Sequence, residues 1–366
     1  MHRLDRIRIA GFKSIRDQTL DLQPLNVLIG ANGAGKSNFI EVFRLLHEMV
    51  SQNLQLFVAR SGGADRLLHF GSKVTEEILV HLQFGSNAYR CQLVPAVDGA
   101  LVFADERVIF ENPGDDRAYD VSLGAGGHRE SLLKEEIEEP WKASIPPDVA
   151  SALWDLKVYH FHDTSSSARV KQIGDVDDNV ALRPDAGNLA AFLYRLQVTD
   201  PGTFRNIVDT LRLVAPFLGG LDLLPDRLNP GKIKLEWHEK ENDTYFDAHA
   251  LSDGTLRFLC LATLLLQPSP PTTVLIDEPE LGLHPYAIAV LADLLRAAAE
   301  RTQVIVSTQS VTLVNQLSPE DIVVVDREGR ESVFRRQSSA TIESWLDGYS
   351  LGELWEKNVL GGRPRS

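Results

Sequence analysis

Eight residues near the amino end, Gly30-Ala31-Asn32-Gly33-Ala34-Gly35-Lys36-Ser37, fit the pattern G-x-x-x-x-G-K-[ST]. Glycines let a backbone curl until several N–H groups point at one anion, and a helix starting there adds its free donors and the positive end of its dipole. Lys36 has the reach and charge to meet β- and γ-phosphates, and the Ser37 hydroxyl can ligate Mg²⁺. Asn32, Gly33, Ala34, Gly35 and Asn38 are expected around the same phosphates. Far downstream, Val274-Leu275-Ile276-Asp277-Glu278 is an apolar run ending in two acids. At the end of a strand, Asp277 can hold the Mg²⁺ shell, and Glu278 can orient or deprotonate an attacking water. The chemistry these residues describe is capture of a nucleoside triphosphate and hydrolysis of its terminal phosphate.

The elements needed to position that chemistry are legible around it. Leu25–Ile29 reads as a buried strand, and the apolar spacing after Ser37 predicts a helix running to about Ala59. Leu4–Ile9 and Gln18–Leu22 join Leu25–Ile29 in an expected cluster of strands with a turn at Gly11-Phe12-Lys13-Ser14. Residues 76–84, 88–95 and 101–110 read as an antiparallel meander broken by Gly85-Ser86-Asn87 and Asp98-Gly99. Residues 111–150 mix Gly, Pro and acids, with Glu135-Glu136-Ile137-Glu138-Glu139 on a solvated helix or loop. A strand is expected over Leu156–His162, helices over about Gly187–Val198 and Thr203–Ala215, and short strands at 218–224, 232–238 and 244–248. The last hundred residues or so alternate strand and helix, as a parallel sheet with crossover helices does.

Leu251-Ser252-Asp253-Gly254-Thr255-Leu256-Arg257 is expected to end a strand and open an apolar helix over Phe258–Leu266. It resembles the signature motif of ABC-type ATPases, usually L-S-G-G-Q, from which Asp253 and Thr255 depart. Ser252 also suits a plain helix N-cap. Arg8-Ile9-Ala10-Gly11-Phe12-Lys13-Ser14-Ile15, followed by the phosphate loop, is similar to the amino terminus of RecF- and SMC-type ATPases. Glu280-Leu281-Gly282-Leu283-His284-Pro285 resembles their D-loop, and Gln309, after Val304-Ile305-Val306-Ser307-Thr308, stands where they carry a switch histidine. The chain thus resembles a stand-alone, RecF/SMC-like ABC-class ATPase of the AAA_21 type.

That resemblance implies an α/β P-loop NTPase, an ABC-type ATPase head with an antiparallel β subdomain and a helical lobe. Residues 1–366 would form one head, lobe I comprising 1–163 and 268–366 and lobe II comprising 164–267. Phe12, Lys13 and Ser14 would lie beside ATP. Ser252, Asp253 and Gly254 would complete the site of a second copy, making a head-to-tail dimer around ATP. Lys36, Glu278 and Gln309 would be catalytic, with slow turnover because an amide cannot relay a proton. Function would lie in DNA repair or antiviral DNA transactions, or in an ATP-gated switch holding a partner effector such as a nuclease or toxin. A fused nuclease domain and a transporter role are not expected.

No glutamine ends the Leu156–His162 strand, where such ATPases carry one; His160, His162 and Asp163 stand there. A metal site, a role facing the nucleotide and plain structure all remain open for them. Asp175-Val176-Asp177-Asp178-Asn179 starts like a calcium loop, but Ala186 occupies the position of its final glutamate, so it reads as solvated loop. Composition narrows the partners. The net charge is −14, whereas a protein whose whole surface wraps nucleic acid is usually basic, so any DNA contact must be local or supplied by a partner. Cys91 and Cys260 are the only two cysteines, too few for a disulfide scaffold or zinc ribbon. No apolar run reaches the ~18 residues of a membrane span, so a cytoplasmic protein without a membrane partner is expected.

Overall fold

The computed structural model describes residues 3–111, 118–133, 147–242, 244–346 and 348–362. Two sheets organise the chain, and each is foreshadowed by its own hydrophobic rhythm. Strands β1 (Arg6–Phe12), β2 (Ile15–Asp21), β4 (Ile78–Phe84), β5 (Asn87–Pro95), β6 (Leu101–Glu111) and β7 (Ala118–Ser122) form an antiparallel sheet in the order β2-β1-β4-β5-β6-β7. Its β4 strand alternates buried and half-buried residues along its length, as an antiparallel strand with one face toward the core does.

The second sheet carries β3 (Leu25–Ile29), β8 (Leu156–Tyr159), β14 (Thr273–Asp277), β15 (Gln303–Thr308), β16 (Ile322–Glu328) and β17 (Glu331–Arg336), ordered β17-β16-β3-β15-β14-β8. From β16 to β8 every pairing is parallel, and β17 turns back antiparallel at the edge. Every residue of β3 and β15 is buried, because helices or strands cover both faces. Alternate residues feed two cores. Val27, Ile29, Val274, Ile276, Val304 and Val306 join one, with the helices Leu189–Thr199, Pro201–Val214, Asp253–Leu266 and Pro285–Ala299. Leu28, Leu275 and Ile305 join the other, which holds Phe39, Phe43 and Leu46 of the helix Lys36–Val50 and Ile7, Ile9, Val80 and Leu82 of the antiparallel sheet.

The expected meander and the helices expected at about Gly187–Val198 and Thr203–Ala215 are present, with four differences. The first three strands do not form one cluster, since β1 and β2 pair with the meander while β3 enters the parallel sheet. The helix expected to run to Ala59 stops at Val50 and restarts over Leu54–Arg60; polar Ser51-Gln52-Asn53 intervenes, and Gln52 has φ +60°. Leu156–His162 is a strand only to Tyr159, because the His160 N–H leaves the ladder and donates to the Pro184 carbonyl at 2.9 Å. The signature segment is entered from a 3₁₀ turn over Ala248–Ala250, not from a strand. The segment between β8 and β14 mixes helices with short strands near the expected positions 218–224, 232–238 and 244–248. It carries β9 (Gly174–Asp175) paired with β11 (Lys232–Ile233), and the small sheet β10 (Leu218–Asp222), β12 (Glu236–Glu239) and β13 (Tyr245–Asp247). Residues 135–139 lie outside the described residues. No described helix is long and apolar enough to cross a membrane.

Candidate nucleotide site

Because β3, β15, β14 and β8 run parallel and adjacent, the loops leaving their carboxyl ends gather at one edge of the sheet, where open α/β sheets hold ligands. Those loops begin with Gly30, Gln309, Glu278 and His160.

The loop after β3 is built as an anion cradle. Gly35 stands at the N-cap of the helix Lys36–Val50 with φ +118°, no side-chain cap and no acid in the first turn, so the helix keeps its first N–H groups and its dipole unanswered. A Cβ on Gly35 would lie 2.0 Å from the Ser332 Oγ. Lys36 is buried, and its Nζ donates to the carbonyls of Gly30 at 2.5 Å and Ala31 at 3.1 Å. Burial pushes its pKa down, while the carboxylates of Glu278, Asp277 and Glu280 pull it back up. Ser37, Asn32 and Gly33 are exposed at the mouth, and Ala34 is buried.

The loop is clamped from behind. Ser332 Oγ donates to the Ala34 carbonyl at 2.5 Å and is 2.6 Å from Ser14 Oγ, which accepts from Asn38 Nδ2 at 2.7 Å. Arg327 donates to the Gly33 carbonyl at 3.1 Å. Ser14 therefore braces the loop from the expected turn and Asn38 from the helix Lys36–Val50, and Lys13, with φ +48°, pairs with Glu41 on the same helix. Phe12 departs from expectation. Its ring has no exposed surface and belongs to the core, because the alternation of β1 breaks at Gly11, whose φ of +73° lets the next ring turn inward, and it has no face to offer a ligand.

Asp277 ends β14 and accepts from the hydroxyl of Ser307, its neighbour in β15. Glu278 follows with φ +42°, a backbone state rare for a glutamate; its N–H donates to the Ser307 carbonyl at 2.8 Å. This twist brings its carboxylate to Gln309, whose Nε2 donates to it. Glu280 sits behind, accepting from Thr308 Oγ1 at 2.5 Å and the Gln309 N–H at 3.1 Å; burial pushes its carboxyl pKa up. His160 touches Arg44, and burial, aided by that guanidinium, pushes its imidazole down to about 4. His160 and His162 stand near Asp277, whereas Asp163 turns away and accepts from Ser165 Oγ at 2.7 Å.

Ser252 caps the helix Asp253–Leu266, its Oγ accepting from the Thr255 N–H at 3.1 Å. Asp253 is exposed, 3.4 Å from Lys171. Gly254 packs so closely on the D-loop-like segment that a Cβ there would lie 2.6 Å from the Gly282 carbonyl. Among the described residues Ser252 makes no hydrogen bond to the phosphate loop. Arg257 escaped the sequence reading. Buried, it donates to the carbonyls of Phe161 at 2.9 Å, His162 at 3.2 Å and Leu281, tying the signature helix to two neighbouring loops. A lone cation opening the apolar run Phe258–Leu266 is the signal that marks it. Ser332 and Arg327 carry no comparable local signal.

The residues fit ATP and Mg²⁺. The uncapped helix start and buried ammonium suit phosphates, and the Ser37 hydroxyl with the Asp277 carboxylate gives the hard oxygen donors Mg²⁺ prefers.

Comparison with known proteins agrees. Residues 111–315 match the family described as "AAA domain, putative AbiEii toxin, Type IV TA system", and residues 3–85 match the "AAA ATPase domain". The Old nuclease of Escherichia phage P2 is 22% identical over 93% of this chain and 62% of its own length, so the chain spans about three fifths of that relative. The phosphate import ATP-binding protein PstB 2 of Bacillus licheniformis is 26% identical over 31% of this chain and 42% of its own. An SMC head bound to the C-terminal winged-helix domain of ScpA shares the fold at TM-score 0.55 and 18% identity, covering 94% of this chain and 99% of the other. The SMC head with extended coiled coil from Pyrococcus furiosus does so at TM-score 0.53 and 16% identity, covering 95% and 99%. A P-loop NTPase fold of the SMC-head kind, with a family match across more than half its length, makes this chain a member of the AAA_21 family of ABC-class ATPases.

Proposed function

We propose that the chain binds and hydrolyses ATP in a head-to-tail dimer, and that the dimer acts in DNA repair or antiviral DNA transactions. Lobe I would comprise residues 1–163 and 268–366, and lobe II residues 164–267. Lys36 and the N–H groups of the Asn32–Asn38 segment hold the β- and γ-phosphates, with Lys13 and Ser14 behind them. Ser37 and Asp277 would hold Mg²⁺, which when bound neutralises phosphate charge and fixes the geometry of the reacting phosphoryl group. Glu278 orients the water and accepts its proton, and Gln309 donates to a γ-phosphate oxygen. Ser252, Asp253 and Gly254 belong to the partner copy's site. The observation that supports this sharing best is the capped, exposed start of the Asp253–Leu266 helix, where, among the described residues, Ser252 makes no hydrogen bond to the phosphate loop.

A second reading is a slow ATP-gated switch that holds or releases an effector such as a nuclease or toxin. The hydrogen bond from Gln309 to the Glu278 carboxylate favours it. An amide on the general base occupies one of its oxygens and relays no proton, so the ATP-bound dimer would persist. Both readings place the chain in the cytoplasm.

Mixing two inactive chains tests the shared site. Lys36→Ala removes the phosphate cation and Ser252→Arg blocks the signature. A heterodimer of one each retains one intact composite site, so turnover should return to as much as half the parent level per dimer. Heterodimers that form yet stay inactive at every mixing ratio would refute the arrangement.

A further inference from the structure

We propose that His160, His162 and Asp277 form a binding site for a divalent transition-metal ion of the Mn²⁺, Co²⁺ or Zn²⁺ class. One ligand atom from each residue lies within 4.8 Å of the other two. An ion about 2.1 Å from each atom requires separations below about 4.2 Å, a contraction that small χ rotations supply. The backbone that presents the imidazoles is already fixed. The His160 N–H is held by the Pro184 carbonyl at 2.9 Å, and the carbonyls of Phe161 and His162 are held by Arg257. The rings lie 6.1 Å apart, centre to centre.

A separate observation points to a ligand. His162 Nδ1 is buried and has no hydrogen-bond partner among the described residues, a state that native proteins seldom leave uncompensated. A metal ion bound through Nδ1 would satisfy it. The donor set decides the class of ion, since two imidazole nitrogens with one carboxylate oxygen suit borderline ions, whereas Mg²⁺ and Ca²⁺ prefer all-oxygen shells. Arg44 contacts His160 Nε2, and a guanidinium and a cation cannot share one lone pair, so binding through that nitrogen moves Arg44 aside. Asp277 is shared with the proposed nucleotide site, but the cation site itself needs no nucleotide.

The test uses Co²⁺ as probe, titrated into the nucleotide-free full chain and followed by its visible d–d absorption. One ion per chain with a nitrogen-ligated spectrum is expected, and His160→Ala and His162→Ala should each weaken binding at least about tenfold. Thermal melts confirm that each variant is folded. A parent spectrum no different from aqueous Co²⁺, or a folded His162→Ala chain that binds Co²⁺ as the parent does, would overturn the proposal. Binding of a fluorescent ATP analogue to the parent chain with Mg²⁺ is measured alongside, so that a failure of the metal site and a failure of nucleotide binding are separately visible.

Discussion

Replacing Arg257 with alanine removes a buried guanidinium that holds three main-chain carbonyls, those of Phe161, His162 and Leu281. A hydrogen bond from a charged donor contributes about 1.5–3 kcal/mol. The three share one side chain and are not additive, and water reaches part of the space left behind, so a loss of about 3 kcal/mol is expected. Unfolding entropy of about 2.1 cal/mol/K per residue gives a chain of 366 residues roughly 0.8 kcal/mol/K. The melting temperature should therefore fall by about 4 °C, read by scanning calorimetry. Arg257→Lys keeps the charge, but one ammonium cannot span three carbonyls in two loops, and about half the loss should remain. Binding of an ATP analogue should persist, because the phosphate loop is untouched, while turnover should drop as the loops carrying His162 and Leu281 lose their anchor. A variant melting within about 1 °C of the parent with unchanged turnover would show that these bonds neither stabilise the head nor position its loops.

Gly35→Ala places a Cβ against Ser332 at a φ of +118°; a stability loss of about 1–3 kcal/mol in melts and a loss of ATP-analogue binding are expected, and Ser332→Gly should restore only the part due to the clash. Gln309→Ala removes a donor to charged oxygens worth about 1.5–3 kcal/mol, so dimerisation or turnover should fall roughly ten- to a hundredfold; sedimentation and phosphate release check this. His160 titrates at about 4 when folded, against about 6.5 when unfolded. The unfolded chain thus takes up the extra proton, and stability is lost as pH falls from about 6.5 to about 4. In melts across that window, His160→Gln should lose less than the parent.

The parts of the site that were legible in sequence are those whose chemistry is local. The phosphate loop must be glycine-rich next to a lysine, and the acidic pair must follow a buried strand, so each shows itself within a few residues. The strands themselves were legible for the same reason, and so was the pairing of neighbours in the meander, but distant partners were not. Arg6–Phe12 pairs with Ile78–Phe84 across a long stretch of chain, and pairing over such a distance leaves no trace in either segment alone. The rhythm did hold a clue: Arg6-Ile7-Arg8-Ile9 alternates like a half-buried strand, while Leu25–Ile29 is apolar at four of its five positions. His160 left its strand because of Pro184, and Asp277, not Asp163, came to the two histidines because β14 is the neighbour of β8. Phe12 misled because the motif named its position, while the break in the alternation of β1 at Gly11, with φ +73°, sends its ring into the core.

The central sheet is a wall shared by two cores, and this makes the chain a single cooperative unit. Val274 and Ile276 face one core while Leu275 between them faces the other, and β15 repeats the pattern with Val304, Ile305 and Val306. Neither core can melt without stripping one face of strands whose other face still holds its partner, so heating should give one calorimetric transition and not two. The same wall carries the nucleotide loops on its edge. A ligand that stiffens those loops should therefore raise the melting point of both cores together, and damage deep in either core is felt at the edge where the phosphates would lie.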